Sequence, residues 1–94
     1  MPRAIWKDTV IADSDAAVVF DGNHYFPPQA LVNKYFTESP TRTVCGWKGE
    51  AHYFSIAVEG DVNEDAAWYY PTPKEAAKQI TGHVAFWRGV EIRD

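Results

Sequence analysis

The residues best suited to chemistry crowd into one stretch, TVCGWKGEAHYF at positions 43–54, which holds the chain's single cysteine, Cys45, with Lys48 three positions further on. Gly46 and Gly49 stand beside this pair, and glycines so placed imply a tight turn or bulge where strand alternation breaks. Across a four-residue turn the first and last Cα atoms lie within about 7 Å. The Lys48 ammonium would then lower the Cys45 pKa and favour the nucleophilic thiolate. The competing reading makes Cys45 a small buried hydrophobe and Lys48 a solvated turn tip. No general base completes a catalytic set. His52 is the nearest candidate, and alternation places it with Phe54 and Ile56.

Metal chemistry finds less support. Cys45, His24, His52 and His83 are zinc-type donors, but no two of them have the spacing of a ligand pair. Asp61, Asn63 and Asp65 resemble the start of a calcium loop. Ala66 stands where that loop needs glycine and Thr72 where it needs a glutamate, so a hairpin turn is the better reading. Neither a metal nor a cofactor is expected.

The aromatic side chains offer a different chemistry. Trp68, Tyr70 and Tyr53 are expected on one sheet face, where they would line an apolar cleft with polar tips and leave Lys48 at its mouth to hold an anion. Alternatively the rings fill the core of a small β domain. Exposure of Trp68 in a concavity would decide between the two.

Strands must position these groups. AAVVFDGNHYF reads as a hairpin about Asp21-Gly22, a dipeptide suited to a type I′ turn, with Phe20 opposite Asn23 and Val18 opposite Tyr25. Pro27 and Pro28 stop the second strand and open a short helix over about 28–35. TESPTR reads as a polar connection. From Glu50, alternation places His52, Phe54, Ile56 and Val58 on one side of a strand and Ala51, Tyr53, Ser55 and Ala57 on the other. A Gly60-Asp61 turn into DAAWYY sets Tyr53 opposite Trp68 and Ala51 opposite Tyr70. TPKEAAKQITG carries helix signals: Thr72 as cap, Pro73 at the first position, Glu75 to complete a capping box and Gly82 at the end. They predict a helix over about 73–81 with Ala76, Ala77 and Ile80 buried. HVAFWRGVEI ends the chain as one or two strands broken at Gly89. Strands dominate and crossover helices are too few for a parallel sheet, so the expected class is mainly β or α+β, a compact antiparallel roll.

Composition narrows the function classes. Ninety-four residues make a single domain, 1–94, and 46% hydrophobic residues suffice to fill its core. A net charge of −4 with nine scattered basic residues argues against nucleic acid and anionic membranes as partners. One cysteine forms no internal disulfide, and MPRAIWKDTVIADSD lacks the apolar stretch of a signal peptide. No 18-residue apolar run occurs, so a cytoplasmic location is expected, with the oligomeric state open.

The order HYFPP, TVCGWKGEAHYF, AAWYYPTPKEAAKQITGHVAFW resembles bacterial domain-of-unknown-function family 427 over nearly the whole chain. The resemblance implies a stand-alone cytoplasmic β-rich domain, similar to β-tent folds that use a sheet-face pocket for ligands. It singles out Thr43, Cys45, Lys48, Gly49, Tyr53, Trp68 and Tyr70. The family also carries a nucleotidyltransferase-type label. Asp13 and Asp15 form the Asp-x-Asp pair that metal-assisted phosphoryl chemistry needs, but no Gly-Ser phosphate-binding element precedes them.

The leading expectation is a domain that binds a small molecule or metabolite through Thr43, Lys48, Tyr53, Trp68 and Tyr70. A thiol-dependent enzyme using Cys45 with Lys48 and a protein-interaction module are the alternatives, and whether the chain is an enzyme stays open.

Overall fold

Turn chemistry and alternation build nine strands joined by turns, as a computed structural model of residues 1–94 describes. They are β1 (Arg3–Trp6), β2 (Thr9–Asp13), β3 (Val18–Phe20), β4 (Asn23–Tyr25), β5 (Phe36–Cys45), β6 (Gly49–Val58), β7 (Asp61–Tyr69), β8 (Val84–Phe86) and β9 (Glu91–Arg93). Every pairing is antiparallel, in sheets ordered β2-β1-β9, β3-β4 and β5-β6-β7-β8. Phe26 and Val84 exchange two backbone hydrogen bonds of 2.8 Å, which dock the end of the β3–β4 hairpin against β8. The fold is mainly β, as the sequence predicts. No helix is long and apolar enough to cross a membrane.

The β3–β4 hairpin forms in the expected register, with Phe20 opposite Asn23 and Val18 opposite Tyr25. Its turn residues Asp21 and Gly22 have φ of 51° and 80°, the left-handed pair a type I′ turn requires. The β1–β2 hairpin turns at Lys7 and Asp8, also at positive φ, 53° and 56°.

Both predicted helices are replaced by 3₁₀ turns. In the first segment Pro28–Ala30 and Asn33–Tyr35 are single turns, separated by an extended Leu31 and Val32. Val32 N donates to Ile11 O at 2.9 Å, and Leu31 bridges to Ala12. The backbone there pairs with β2 and is not available to continue a helix. In the second segment Glu75–Ile80 is two 3₁₀ turns broken at Ala77, preceded by Lys74 with no side-chain cap from Thr72. Lys74 N instead donates to Lys48 O at 2.7 Å. Ala77 and Ile80 are buried three apart, the 3₁₀ period, while Ala76 is exposed.

TESPTR is not a connection. It lies within β5, and the register breaks between Ser39 and Arg42. Pro40 occupies this bulge on the free edge strand, where a missing N–H interrupts no ladder. The β6–β7 turn falls at Glu59-Gly60, one residue before the predicted position, with Val58 opposite Asp61. A bulge then follows: Ile56 pairs with Asn63 and Phe54 with Ala67, so β7 spends two extra residues. The two offsets cancel. Tyr53 faces Trp68 as expected, and because the slip is even no side chain changes face.

Successive β6–β8 residues feed two cores on opposite faces of the large sheet. Ile56, Val58, Ala67, Val84 and Phe86 pack with Ala4, Ile11 and Ala12 of the β1–β2 hairpin. Ala51, Tyr70 and Ala85 pack with Tyr25 and with Ala77 and Ile80 from the 3₁₀ turns, and Tyr53, Trp68 and Cys45 border this second cluster.

Candidate functional site: an aromatic cleft over a buried lysine

Lys48 ends the turn that joins β5 to β6, and its backbone is held from outside. Gly49 has φ of +123°, and a Cβ there would lie 3.5 Å from Pro73 Cα and Thr72 O. Residues 72–74 therefore pack directly on the turn. Lys74 Nζ donates to Gly46 O at 2.6 Å, beside the Lys74 N–Lys48 O bond already described. With the backbone clamped, the Lys48 side chain turns inward. It is the chain's one buried charged residue, 8% exposed, which overturns the reading of it as a solvated turn tip.

A buried ammonium needs a partner, and Asp21 supplies it from the β3–β4 turn, with Nζ–Oδ2 at 2.5 Å. The ammonium also lies 5.1 Å from the Trp47 ring centroid and 5.9 Å from that of Tyr70. Desolvation pulls the Lys48 pKa down. The Asp21 hydrogen bond, the Tyr25 and Tyr70 hydroxyls and the Asp21 charge together outweigh it, and the net direction is up. Lys48 is a fixed cation, not a neutral amine available as base or nucleophile. Burial raises the Tyr70 pKa against the opposing effect of Lys48, with Tyr25, Cys45 and Tyr53 adding to the rise. Its hydroxyl is neutral at physiological pH.

Above Lys48 opens a cleft of about 170 Å³ lined by Lys48, Tyr53, Trp68, Tyr70 and Trp87. Trp68 is half-buried, its Nε1 donating to Tyr25 Oη at 3.3 Å. Its ring meets Trp87 edge-on, centroids 5.8 Å apart. Trp87 is 43% exposed. Its Nε1 donates to Asp65 O at 2.6 Å, and the Arg88 guanidinium lies 4.5 Å from its ring. Tyr53 is oriented by a 2.8 Å hydrogen bond between its hydroxyl and Thr43 Oγ1. The walls are thus held by fixed partners, and the base carries one positive charge.

Of the residues expected at a ligand site, the structure brings Lys48, Tyr53, Trp68 and Tyr70 to this cleft. Thr43 stands outside it, behind Tyr53. Cys45 is a free, partly buried thiol on the border of the second core. His52 is taken up by Glu50, 3.1 Å away, and by an edge contact with Tyr69. Asp13 and Asp15 are exposed at and beyond the end of β2, and no three His, Cys, Asp or Glu side chains are grouped to hold a metal ion. Two participants escaped the sequence reading, Asp21 and Trp87. For Trp87 a signal exists: Val84 and Phe86 enter one core and Ala85 the other, so parity puts Trp87 on the face of Ala85, which pairs with Trp68.

The bulges of β5 and β7 shape a second depression, of about 280 Å³, lined by Pro40 and six polar or acidic residues. Here Thr41 Oγ1 donates to Asp65 Oδ2 at 2.8 Å and Asp65 N donates to Ser55 Oγ at 3.1 Å. Asp65 Oδ1 is buried without a hydrogen-bond partner.

The arrangement spans the whole chain, and so does one family model, which matches residues 2–93. The chain belongs to the family described as Domain of unknown function (DUF427). No curated protein matches it. For this DUF427 chain, then, geometry must supply the functional argument.

Proposed function

We propose that this DUF427 domain binds a small molecule in the cleft between Tyr53, Trp68, Tyr70 and Trp87. One observation carries the reading: a buried, charged lysine lies at the base of an open cleft whose walls are aromatic rings. Leaving an ammonium under apolar rings costs stability that an apolar side chain of similar volume would avoid. A ligand interaction gives such an arrangement a use. The concave shape, apolar walls and single polar anchor are the ordinary features of a small-molecule site. At about 170 Å³ the cleft is below the roughly 300–1,000 Å³ of drug-sized pockets, which points to a fragment-sized ligand or part of a larger one.

The test is a titration of tryptophan fluorescence and backbone amide shifts against a metabolite library. Saturable changes confined to residues 43–54, 66–70 and Trp87 are expected, and their absence across the library removes the proposal. Thiol chemistry at Cys45 would show itself differently, as iodoacetamide labelling with an apparent pKa well below the ordinary thiol value of about 8.5. A protein-docking role would appear as concentration-dependent self-association.

A further inference from the structure

Aromatic clefts suit two opposite ligand chemistries. Cations sit over ring faces, attracted by the negative quadrupole, while planar molecules stack on the rings and present a polar group elsewhere. Lys48 separates the two. Lys48 lines the cleft with its ammonium 5.9 Å from the Tyr70 ring and its side chain only 9% exposed, and like charges repel more strongly there than in open water. Arg88, stacked on Trp87, adds a second positive charge beside the outer wall. An ammonium has three donors. Lys48 has one ion-pair partner, the Asp21 carboxylate, and its other close neighbours are the Trp47 and Tyr70 rings. Donor capacity remains for another acceptor. The chain's net charge of −4 does not oppose this, because at physiological ionic strength charges beyond about 8 Å are screened. The volume sets the size, since a cavity of about 150 Å³ accommodates benzene.

We propose that the cleft takes a planar, single-ring carboxylate, the ring between Trp68, Trp87 and Tyr53 and the carboxylate hydrogen-bonded to Lys48 Nζ. This rests on the cleft being a small-molecule site. Asp21 then plays a defined part. As the resident counter-ion it competes with the ligand acid for Lys48, and because its side chain is 48% exposed its influence is modest. Asp21→Asn tests this cleanly, since Asn-Gly favours the same type I′ turn.

The probes are benzoate, benzamide and phenyltrimethylammonium, one ring carrying three charge states, titrated by amide and indole N–H shifts. Benzoate should shift the Trp68 and Trp87 indoles saturably, benzamide should bind at least about tenfold more weakly, and the cation should leave the cleft unmoved. Asp21→Asn should tighten benzoate by roughly two- to fivefold, the range open to a half-exposed carboxylate, and leave benzamide unchanged. Lys48→Met, with the remaining amide spectrum preserved, should lose the benzoate preference. Benzamide or the cation binding as well as benzoate would overturn the charge assignment while sustaining the ligand site. If none of the three moves the cleft, the assignment also falls, and the metabolite titration alone then decides whether the site stands.

Discussion

The two depressions both draw on β6 and β7 and are built on opposite terms. The aromatic cleft buries a charge and answers it: Lys48 is paired with Asp21 and surrounded by rings that also pack the second core. The polar depression, at the bulges of β5 and β7, holds a carboxylate partly answered: Asp65 Oδ2 is bonded to Thr41, Oδ1 has no hydrogen-bond partner, and the Ser39 hydroxyl is near enough to favour the charged form. Asp65 also adopts φ of 54°, uncommon outside glycine, asparagine and aspartate. In the first region, packing fixes a polar group. In the second, a polar group fixes the backbone. The aromatic region should therefore dominate stability through volume, and the bulged region through hydrogen bonds and conformation.

Tyr25→Ala probes the first region most severely. Tyr25 is fully buried and meets Phe20 and Trp68 edge-on at 6.2 and 6.3 Å. Removing its ring leaves a cavity beneath the cleft, at an expected cost of about 3–5 kcal/mol in denaturant unfolding. The Trp68 indole also loses its hydroxyl acceptor, so its N–H resonance should shift. A loss below about 1 kcal/mol would break the comparison.

Asp65→Ala should cost less, about 2 kcal/mol. Losing the Thr41 hydrogen bond accounts for about 1 and alanine at positive φ for roughly another 1. Asp65→Gly regains the conformational part, so it should be the milder variant even though it removes the same carboxylate. If glycine is the worse of the two, conformation is not what Asp65 supplies.

What the sequence made legible follows from the same contrast. Alternation in β6 and β7 placed Tyr53, Trp68 and Tyr70 on one face, because parity survives any even slip of register. It survived here although the turn lay one residue earlier than predicted and a bulge that the sequence did not announce followed it. Asp21-Gly22 announced its turn chemically. Lys7-Asp8 adopts a similar pair of left-handed φ values without glycine or asparagine, so nothing local marked the first hairpin. The helix over 73–81 carried every local cap signal. Tertiary demands won: Lys74 N is used on Lys48 O, and a six-residue segment gains too few helical bonds to offset nucleation. Asp21 as the counter-ion of Lys48 joins residues 27 positions apart across two turns, a contact that exists only once the hairpin packs.

Opposite pH limbs sharpen the comparison further. The Ser39 hydroxyl, against the opposing effect of desolvation and with help from Thr41 and Arg88, holds the Asp65 carboxyl below its usual value of 3.8. A depressed folded pKa means stability present above about pH 4 and lost as the pH falls toward the folded value. Lys48 and Tyr70 are both raised, so their contributions are present at neutral pH. The Tyr70 share fades once the pH exceeds the unfolded tyrosine value of 10.0, and the Lys48 share above 10.5. Tyr69, raised to about 12 by burial and by Glu38, acts on the same alkaline side. Lys48→Met should remove only the part of the alkaline loss that sets in above pH 10.5, leaving the Tyr69 and Tyr70 shares in place, and Asp65→Asn should flatten the acid limb. Each should leave the other limb alone, and equal effects on both would mean that the two regions are electrostatically coupled.

The smallest effect is expected at Thr43, which orients a cleft wall without touching the cleft. Thr43→Val removes an exposed 2.8 Å hydrogen bond to the Tyr53 hydroxyl and preserves the β-branched shape that suits a strand. Water can replace the lost partner, so the change in unfolding free energy should stay within about 0.5 kcal/mol. The informative readout is ligand affinity. A freed Tyr53 ring samples more rotamers, and a ligand must then restrict it on binding. Thr43→Val should weaken benzoate modestly while leaving its preference over benzamide intact, because that preference resides in Lys48. A lost preference with unchanged stability would move the charge recognition from Lys48 to the β5 edge.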